Sequence, residues 1–315
     1  MTEQTTLDIV LLTAAIFSLL TLLTIIGELL RARVPLGQTD PVIEAFLMRI
    51  HTWWGLTVIL SVAVLSGAFG VTLLFAFVSF AALREFLTFT AKRRADHLSL
   101  VLAFFVILPL QYLFVWLDWM WLFTVFIPVY AFLLLPIVSA IKGDPERFLV
   151  RVAETQWGLM ICVYCLSHVP ALLTYDMPDG SDRSILLIVF FAMVVQLGDF
   201  FEYYAGRSFG RKRIAPNISP KTLVGAGFGI TAAGLVGGLL SWITPFDVVG
   251  AAAMAALASA TGIFGSIVFA AVKGDRGVKD WSHLIPGHGG FLDQLDGVIF
   301  AAPVFLHATQ MGWSQ

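Results

Sequence analysis

The sequence predicts an all-α fold: a polytopic membrane helical bundle of about ten transmembrane helices with both termini outside. Three observations predict it. Of the 315 residues, 58% are hydrophobic and only 13% are charged, and the mean hydropathy is +0.88. A soluble domain carries about 25% charged residues, so this chain lacks the material for a polar coat. Uncharged apolar runs recur along the whole chain, and a spanning helix needs about 20 such residues. The basic residues gather in a few of the segments between those runs, as membrane topology demands. The net charge of −2 carries less information than this distribution, and no nucleic-acid partner is expected.

The first run, Ile9–Gly27, is 19 residues without a charge, and Met1–Asp8 contains no Lys or Arg. It is too long and too poor in flanking basic residues for a signal peptide, so it reads as a retained span. The second, Thr52–Leu83, has 32 residues. At about 1.5 Å per residue it overshoots a core about 30 Å thick. Gly67-Ala68-Phe69-Gly70 divides it into a helical hairpin. Leu98–Leu117, Trp119–Ile141 and Thr155–Tyr175 follow, then Ser184–Gly198, Thr222–Phe246, Val248–Val272 and Gly297–Gln315. Cys162 and Cys165 fall inside an apolar run without a thioredoxin-like context, so they read as small packing residues and imply no disulfide.

All but Arg183 of the 19 basic residues fall in five segments, around Arg31–Arg49, Arg84–Arg94, Lys142–Arg151, Arg207–Lys221 and Lys273–Lys279. Ten spans place all five on one side, which the positive-inside rule makes cytoplasmic. A single helix over Thr52–Leu83 would put Arg49 and Arg84 on opposite sides. Tryptophans at span ends (Trp53, Trp54, Trp119, Trp281, Trp313) fit an interfacial belt. Lys92-Arg93-Arg94 reads as an anchor for anionic headgroups. His168 and His307 read as packing residues, and Glu28 as a local partner of Arg31. Residues 1–183 form a Leu- and Phe-rich scaffold. Residues 184–315 are richer in Gly and Ala, which allows close helix approach, and carry two candidate site loops, 206–222 and 273–296.

The second loop holds Lys279-Asp280, then Pro286-Gly287-His288-Gly289-Gly290, then Phe291-Leu292-Asp293-Gln294-Leu295-Asp296. Charges and a histidine bracketed by apolar runs are costly near a bilayer and mark a functional site. Gly-His-Gly-Gly can present successive backbone N–H groups to an anion. Asp293 and Asp296, three apart, share a helix face. Carboxylates of this kind suit Mg²⁺, which keeps waters and bridges substrate phosphates. Lys273, Arg276 and Lys279 supply positive charge for phosphate oxygens. The first loop reads Gly198-Asp199-Phe200-Phe201-Glu202-Tyr203-Tyr204-Ala205-Gly206-Arg207-Ser208-Phe209-Gly210, continuing to Ser219-Pro220-Lys221-Thr222.

Together these strings resemble the phosphatidate cytidylyltransferase (CDP-diacylglycerol synthase) family. Asp199, Tyr203, Gly206, Arg207, Phe209, Gly210, Pro216, Ser219, Pro220, Lys221, Thr222 and Gly225 match its pattern, over roughly Leu197–Pro303. Earlier spans match through hydropathy and Leu83-Arg84-Glu85-Phe86. The resemblance implies catalytic roles for Lys273, Lys279, Asp280, His288 and Asp293. It implies substrate contacts from Arg207, Ser219, Lys221, Arg276, Gly289 and Gly290. It implies Mg²⁺, with a second metal ion open, on Asp293, Asp296 and Asp199. The chain departs from the pattern at Val224, Ser266, Phe269, Ala270, Gly274 and Gln294. Ser266 stands where the family has an aspartate that shares the metal with Asp293. Two readings of Glu202 stay open: a relocated metal ligand, or a carboxylate paired with Arg207. Two stay open for His288: a donor to phosphate, or a loop-shaping hydrogen bond.

The implied reaction joins CTP to phosphatidate or a related phospholipid, giving a CDP-lipid and pyrophosphate. The implied setting is a bacterial inner (plasma) membrane with the site loops in the cytoplasm, and a homodimer is compatible with it. The alternative is a non-catalytic membrane relative that keeps lipid or nucleotide binding, or a scaffolding role. A transporter is disfavoured, because the charges cluster in loops and not at mid-bilayer.

Overall fold

The computed structural model describes residues 3–35, 38–90, 93–177, 183–284 and 289–311. Among them the chain is an all-α bundle with one isolated antiparallel bridge, Arg213 to Thr222. Helix α1 spans Glu3–Ala32, α2 Pro41–Leu65 and α3 Gly67–Thr88. Then come α4 (Arg94–Trp116), α5 (Met120–Ile141) and α6 (Phe148–Thr174). Next are α7 (Ser184–Phe209), α8 (Leu223–Leu239), α9 (Val248–Arg276) and α10 (Phe291–Gln310). Nine of these described helices are long and apolar enough to cross a membrane, and α8, with 17 residues, is shorter. The chain is therefore polytopic, with nine long spans where ten were expected and a short tenth helix.

The hairpin is real. Gly67 adopts φ +73, a conformation glycine reaches at little cost, and α2 ends two residues earlier at Leu65. Both hairpin helices are longer than the apolar run suggested. Asp40 accepts the Val42 N–H at 2.8 Å as N-cap and Pro41 opens the first turn, so α2 starts eleven residues before Thr52 and carries Arg49 inside a helix. Similar extensions place Arg151 and Glu154 in α6, Lys273 and Arg276 in α9, and Asp293 and Asp296 in α10. The segments read as loops 206–222 and 273–296 are accordingly helical up to Phe209, up to Arg276 and from Phe291 onward.

Helices α4, α5 and α6 each contain a π-helical turn: Ala103–Ile107, Phe126–Ala131 and Met160–Cys165. A proline lies within or shortly after each one (Pro109, Pro128, Pro170), where its missing N–H breaks the regular ladder. Helix α6 is the most buried of the spans, with 67% of its apolar window inside the protein. Its polar side chains are matched locally: Arg151, 1% exposed, pairs with Asp96 at 3.1 Å and Asp144 at 3.2 Å. In the second half, small residues set the spacing. A Cβ at Gly229 would meet the backbone of Gly198, and Gly262 and Gly297 face each other across α9 and α10.

Candidate active site

The middle turns of α7 and α9, Arg49 and Trp53 of α2 and the first turns of α10 meet around a cavity of about 80 Å³. Its polar wall includes Arg49, Asp199, Ser259, Ser266, Asp293 and Asp296, with Gln196 and Gln294 beside them. Helix α7 continues ten residues beyond Asp199, and α9 ten beyond Ser266. At about 1.5 Å per residue the cavity is recessed about 15 Å from those helix ends.

The connection between α7 and α8 folds into a narrow hairpin. Ile214 N donates to Lys221 O and Leu223 N to Lys212 O, both at 3.0 Å. Thr222 caps α8 by accepting the Gly225 N–H at 3.0 Å, and buried Ser219 accepts the Lys221 N–H at 3.3 Å. This turn carries Lys221 back under α7. Its Nζ donates to Asp199 Oδ1 and Glu202 Oε2, each at 2.7 Å. Burial alone would lower the Lys221 pKa, but the two carboxylates outweigh it and hold it above the ordinary lysine value. Glu202 is 4% exposed, and its recorded partner is Lys221. The expected pair with Arg207 is not formed: Arg207 donates to the Tyr203 hydroxyl at 3.3 Å.

At the start of α10, Asp293 Oδ2 accepts N–H groups from Gly290 at 2.8 Å and Trp281 at 2.9 Å. Its Oδ1 accepts from Lys273 Nζ at 2.9 Å. Gly289 sits at φ +78, and a Cβ there would collide with the Asp293 carboxylate, so glycine is required. Gly290 is equally constrained, because a Cβ would strike Glu85. Glu85, on α3, accepts from Phe291 N and Leu292 N at 3.0 Å and from Ser282 Oγ at 2.7 Å. The first N–H groups of α10, which a helix cannot satisfy internally, are thus bound by the protein's own carboxylates. Of the anion nest expected at Gly-His-Gly-Gly, the Gly290 N–H is given to Asp293. Gly287 and His288 lie outside the described residues.

Ser266 Oγ donates to Asp296 Oδ1 at 3.0 Å, and the Gly297 N–H reaches the same oxygen at 2.6 Å. The structure thus joins Asp199, Ser266, Asp293 and Asp296 in one cavity. Other expected residues lie outside it. Arg276 pairs with Glu154 of α6 at 2.9 Å, Lys279 is exposed past the end of α9, and Asp280 is half-buried. Sequence reasoning missed Glu85, Arg49 and Ser259. Asp40-Pro41 is a helix-start signal that could have moved Arg49 from loop to helix, whereas nothing local reveals what Glu85 would cap.

No group of three or more His, Cys, Asp or Glu side chains among the described residues could hold a metal ion. Asp199 and Asp296 nevertheless share the cavity, with Ser266 as a neutral oxygen beside them. Among the described residues, the Oδ2 atom of each aspartate carries no hydrogen bond. That donor set does not fit a closed metal site. It fits Mg²⁺, which is held through one or two carboxylates and completed by waters and substrate phosphates.

Residues 47–311 match the Cytidylyltransferase family. Uncharacterized protein YnbB of Escherichia coli is 37% identical over 303 residues, covering 93% of this chain and 96% of that protein. A phosphatidate cytidylyltransferase of Aquifex aeolicus is 31% identical over 141 residues, 44% of this chain and 53% of that enzyme. One from Mycobacterium leprae is 36% identical over 171 residues, 53% of this chain and 52% of that enzyme. The chain therefore spans about half the length of these two enzymes.

Proposed function

The chain belongs to the cytidylyltransferase family, and on that premise we propose that it transfers the cytidylyl group of CTP to the phosphate of a membrane lipid, phosphatidate or a related phospholipid. An oxygen of the lipid phosphate attacks the α-phosphorus of CTP, the bond to the β-phosphate breaks, and pyrophosphate leaves. The observation that carries this reading is the cavity itself: Asp199, Asp293 and Asp296 gathered beside Arg49, with Lys221 and Lys273 paired to two of those carboxylates, where a lipid phosphate and a nucleotide could meet. The named relatives that match half of the chain support the choice of acceptor.

In this reading Asp199 and Asp296, with Asp293 beside them, hold Mg²⁺, which supplies charge neutralisation on the triphosphate. Lys221 and Lys273 balance the carboxylates before substrate arrives, and can turn toward phosphate oxygens when it does. Glu202 keeps Lys221 in place. Lys279, exposed near the α10 start, meets the incoming triphosphate together with His288 and Arg207. Asp293 keeps its second function as the cap that fixes the start of α10. The basic segments face the cytoplasm of a bacterial plasma membrane, and an even number of crossings leaves both termini outside.

The test is incorporation of radiolabelled CTP by the purified protein with a panel of phospholipid acceptors, with Mg²⁺ and with chelator. Metal-dependent label in one lipid class is the expected result, and no label in any acceptor removes the enzyme reading. A non-catalytic relative is the second reading. It is favoured by Ser266, a neutral group beside Asp296 where the family pattern has a carboxylate.

A further inference from the structure

We propose that Arg49, a residue of α2 outside both candidate loops, receives the phosphate monoester of the lipid acceptor in the cavity. The inference deepens the function proposed above and rests on it for the identity of the lipid.

Arg49 lines the cavity with Asp199 and Asp296. Its guanidinium lies over the Tyr203 ring, 4.5 Å from the centroid, with Tyr204 at 6.0 Å. The cation–π contact holds the guanidinium at the cavity wall. Its Nη1 is buried and has no hydrogen-bond partner among the described residues. A buried guanidinium nitrogen without a partner is costly and calls for a ligand. The other cavity cations are committed: Lys221 to Asp199 and Glu202, Lys273 to Asp293. Arg49 forms no ion pair among the described residues. A planar fork with an open N–H edge matches a phosphate, which accepts two parallel hydrogen bonds.

The phosphate could come from lipid or from nucleotide, and the position of α2 favours lipid. Helix α2 meets α7 through ring contacts, Trp53 on Phe200 at 5.1 Å and Phe46 on Tyr204 at 6.4 Å. Its neighbouring side chains Val42 and Met48 are exposed apolar groups in a helix apolar enough to span a bilayer. A headgroup entering sideways along this seam meets Arg49 at the cavity wall.

The experiment measures binding without turnover. Purified wild type, Arg49→Gln and Arg49→Lys are titrated in detergent with dihexanoyl phosphatidate, dihexanoyl phosphatidylcholine and CTP, and fold is checked by circular dichroism melting. Arg49→Gln is expected to weaken phosphatidate binding at least about tenfold, a loss of about 1.4 kcal/mol, with CTP unchanged. Arg49→Lys should lose less, because it keeps the charge without the fork, and Tyr203→Leu should weaken phosphatidate through loss of the stacking ring. The two milder variants decide the matter if Arg49→Gln does not fold. Unchanged phosphatidate affinity in a folded variant overturns the proposal. So does an equal loss of phosphatidylcholine, or a loss confined to CTP, which would assign Arg49 to the nucleotide. Arg49-dependent phosphatidate binding in a wild type that transfers no label would leave this inference standing and remove the enzymatic one. Transfer that persists with Arg49-independent binding would do the reverse.

Discussion

Ser266 and Asp296 show how one substituted atom type changes a site. The Ser266 hydroxyl donates to the Asp296 carboxylate, so the pair is satisfied without a metal. A carboxylate at this position would face Asp296 at hydrogen-bond range and repel it. Ser266→Asp is therefore expected to lower the melting temperature in chelator and to gain more stability from Mg²⁺ than wild type does. Melting curves with and without Mg²⁺ decide this, and an equal Mg²⁺ response in both proteins would remove Asp296 from the metal site. Lys221 illustrates the opposite balance. Removing it leaves two carboxylates, one deeply buried, without their cation, and breaking a buried pair costs about 3–5 kcal/mol. Asp199 is partly exposed to the cavity, so water screens part of that cost and Lys221→Met should fall toward the lower end, read from chemical denaturation. The raised Lys221 pKa adds a sign. Its stabilisation is fully present below the ordinary value of 10.5 and is lost only as pH rises through the higher folded value.

At the scale of elements, the start of α10 is built by three separate segments. Asp293 caps its own helix, Gly289 turns the chain in, and Glu85 reaches over from α3. Glu85→Ala removes a charged acceptor of three hydrogen bonds, each worth about 1.5–3 kcal/mol when the acceptor is ionised. A large drop in melting temperature is expected, together with faster amide exchange at Phe291 and Leu292. Protection unchanged at those two amides would show that something else caps the helix. Gly289→Ala is expected to be as damaging through a different route, by forcing the Asp293 carboxylate out of its bonds. The last glycine of the string, Gly290, gives its N–H to Asp293, and the two amides that follow it go to Glu85.

At the scale of the whole molecule, the proposed topology counts the short α8 as a tenth crossing and sets the basic segments on the cytoplasmic side, which would leave the segment around Asp176 outside. Cysteine introduced at Asp176 should react with an impermeant reagent in intact cells, and labelling only after permeabilisation would reverse the orientation. Much of this architecture was legible in the sequence. Apolar runs announce spans because an unpaired backbone cannot cross lipid, and Gly67 announces its turn because few other residues adopt that conformation. Helix ends were less legible. Charged side chains such as Arg151, Glu154 and Asp293 break an apolar run without breaking a helix, since their partners satisfy them inside the bundle. The sequence by itself determined the membrane class, the hairpin, the close-packed glycine-rich half and the identity of the carboxylates gathered at the cavity. Only the tertiary structure decided which charge meets which: Lys221 with Glu202, Glu85 with the α10 start, Arg276 with Glu154, and Arg49 stacked on Tyr203. Spans follow from local hydropathy, which each segment carries alone, whereas a charge's partner depends on which distant helix lies beside it.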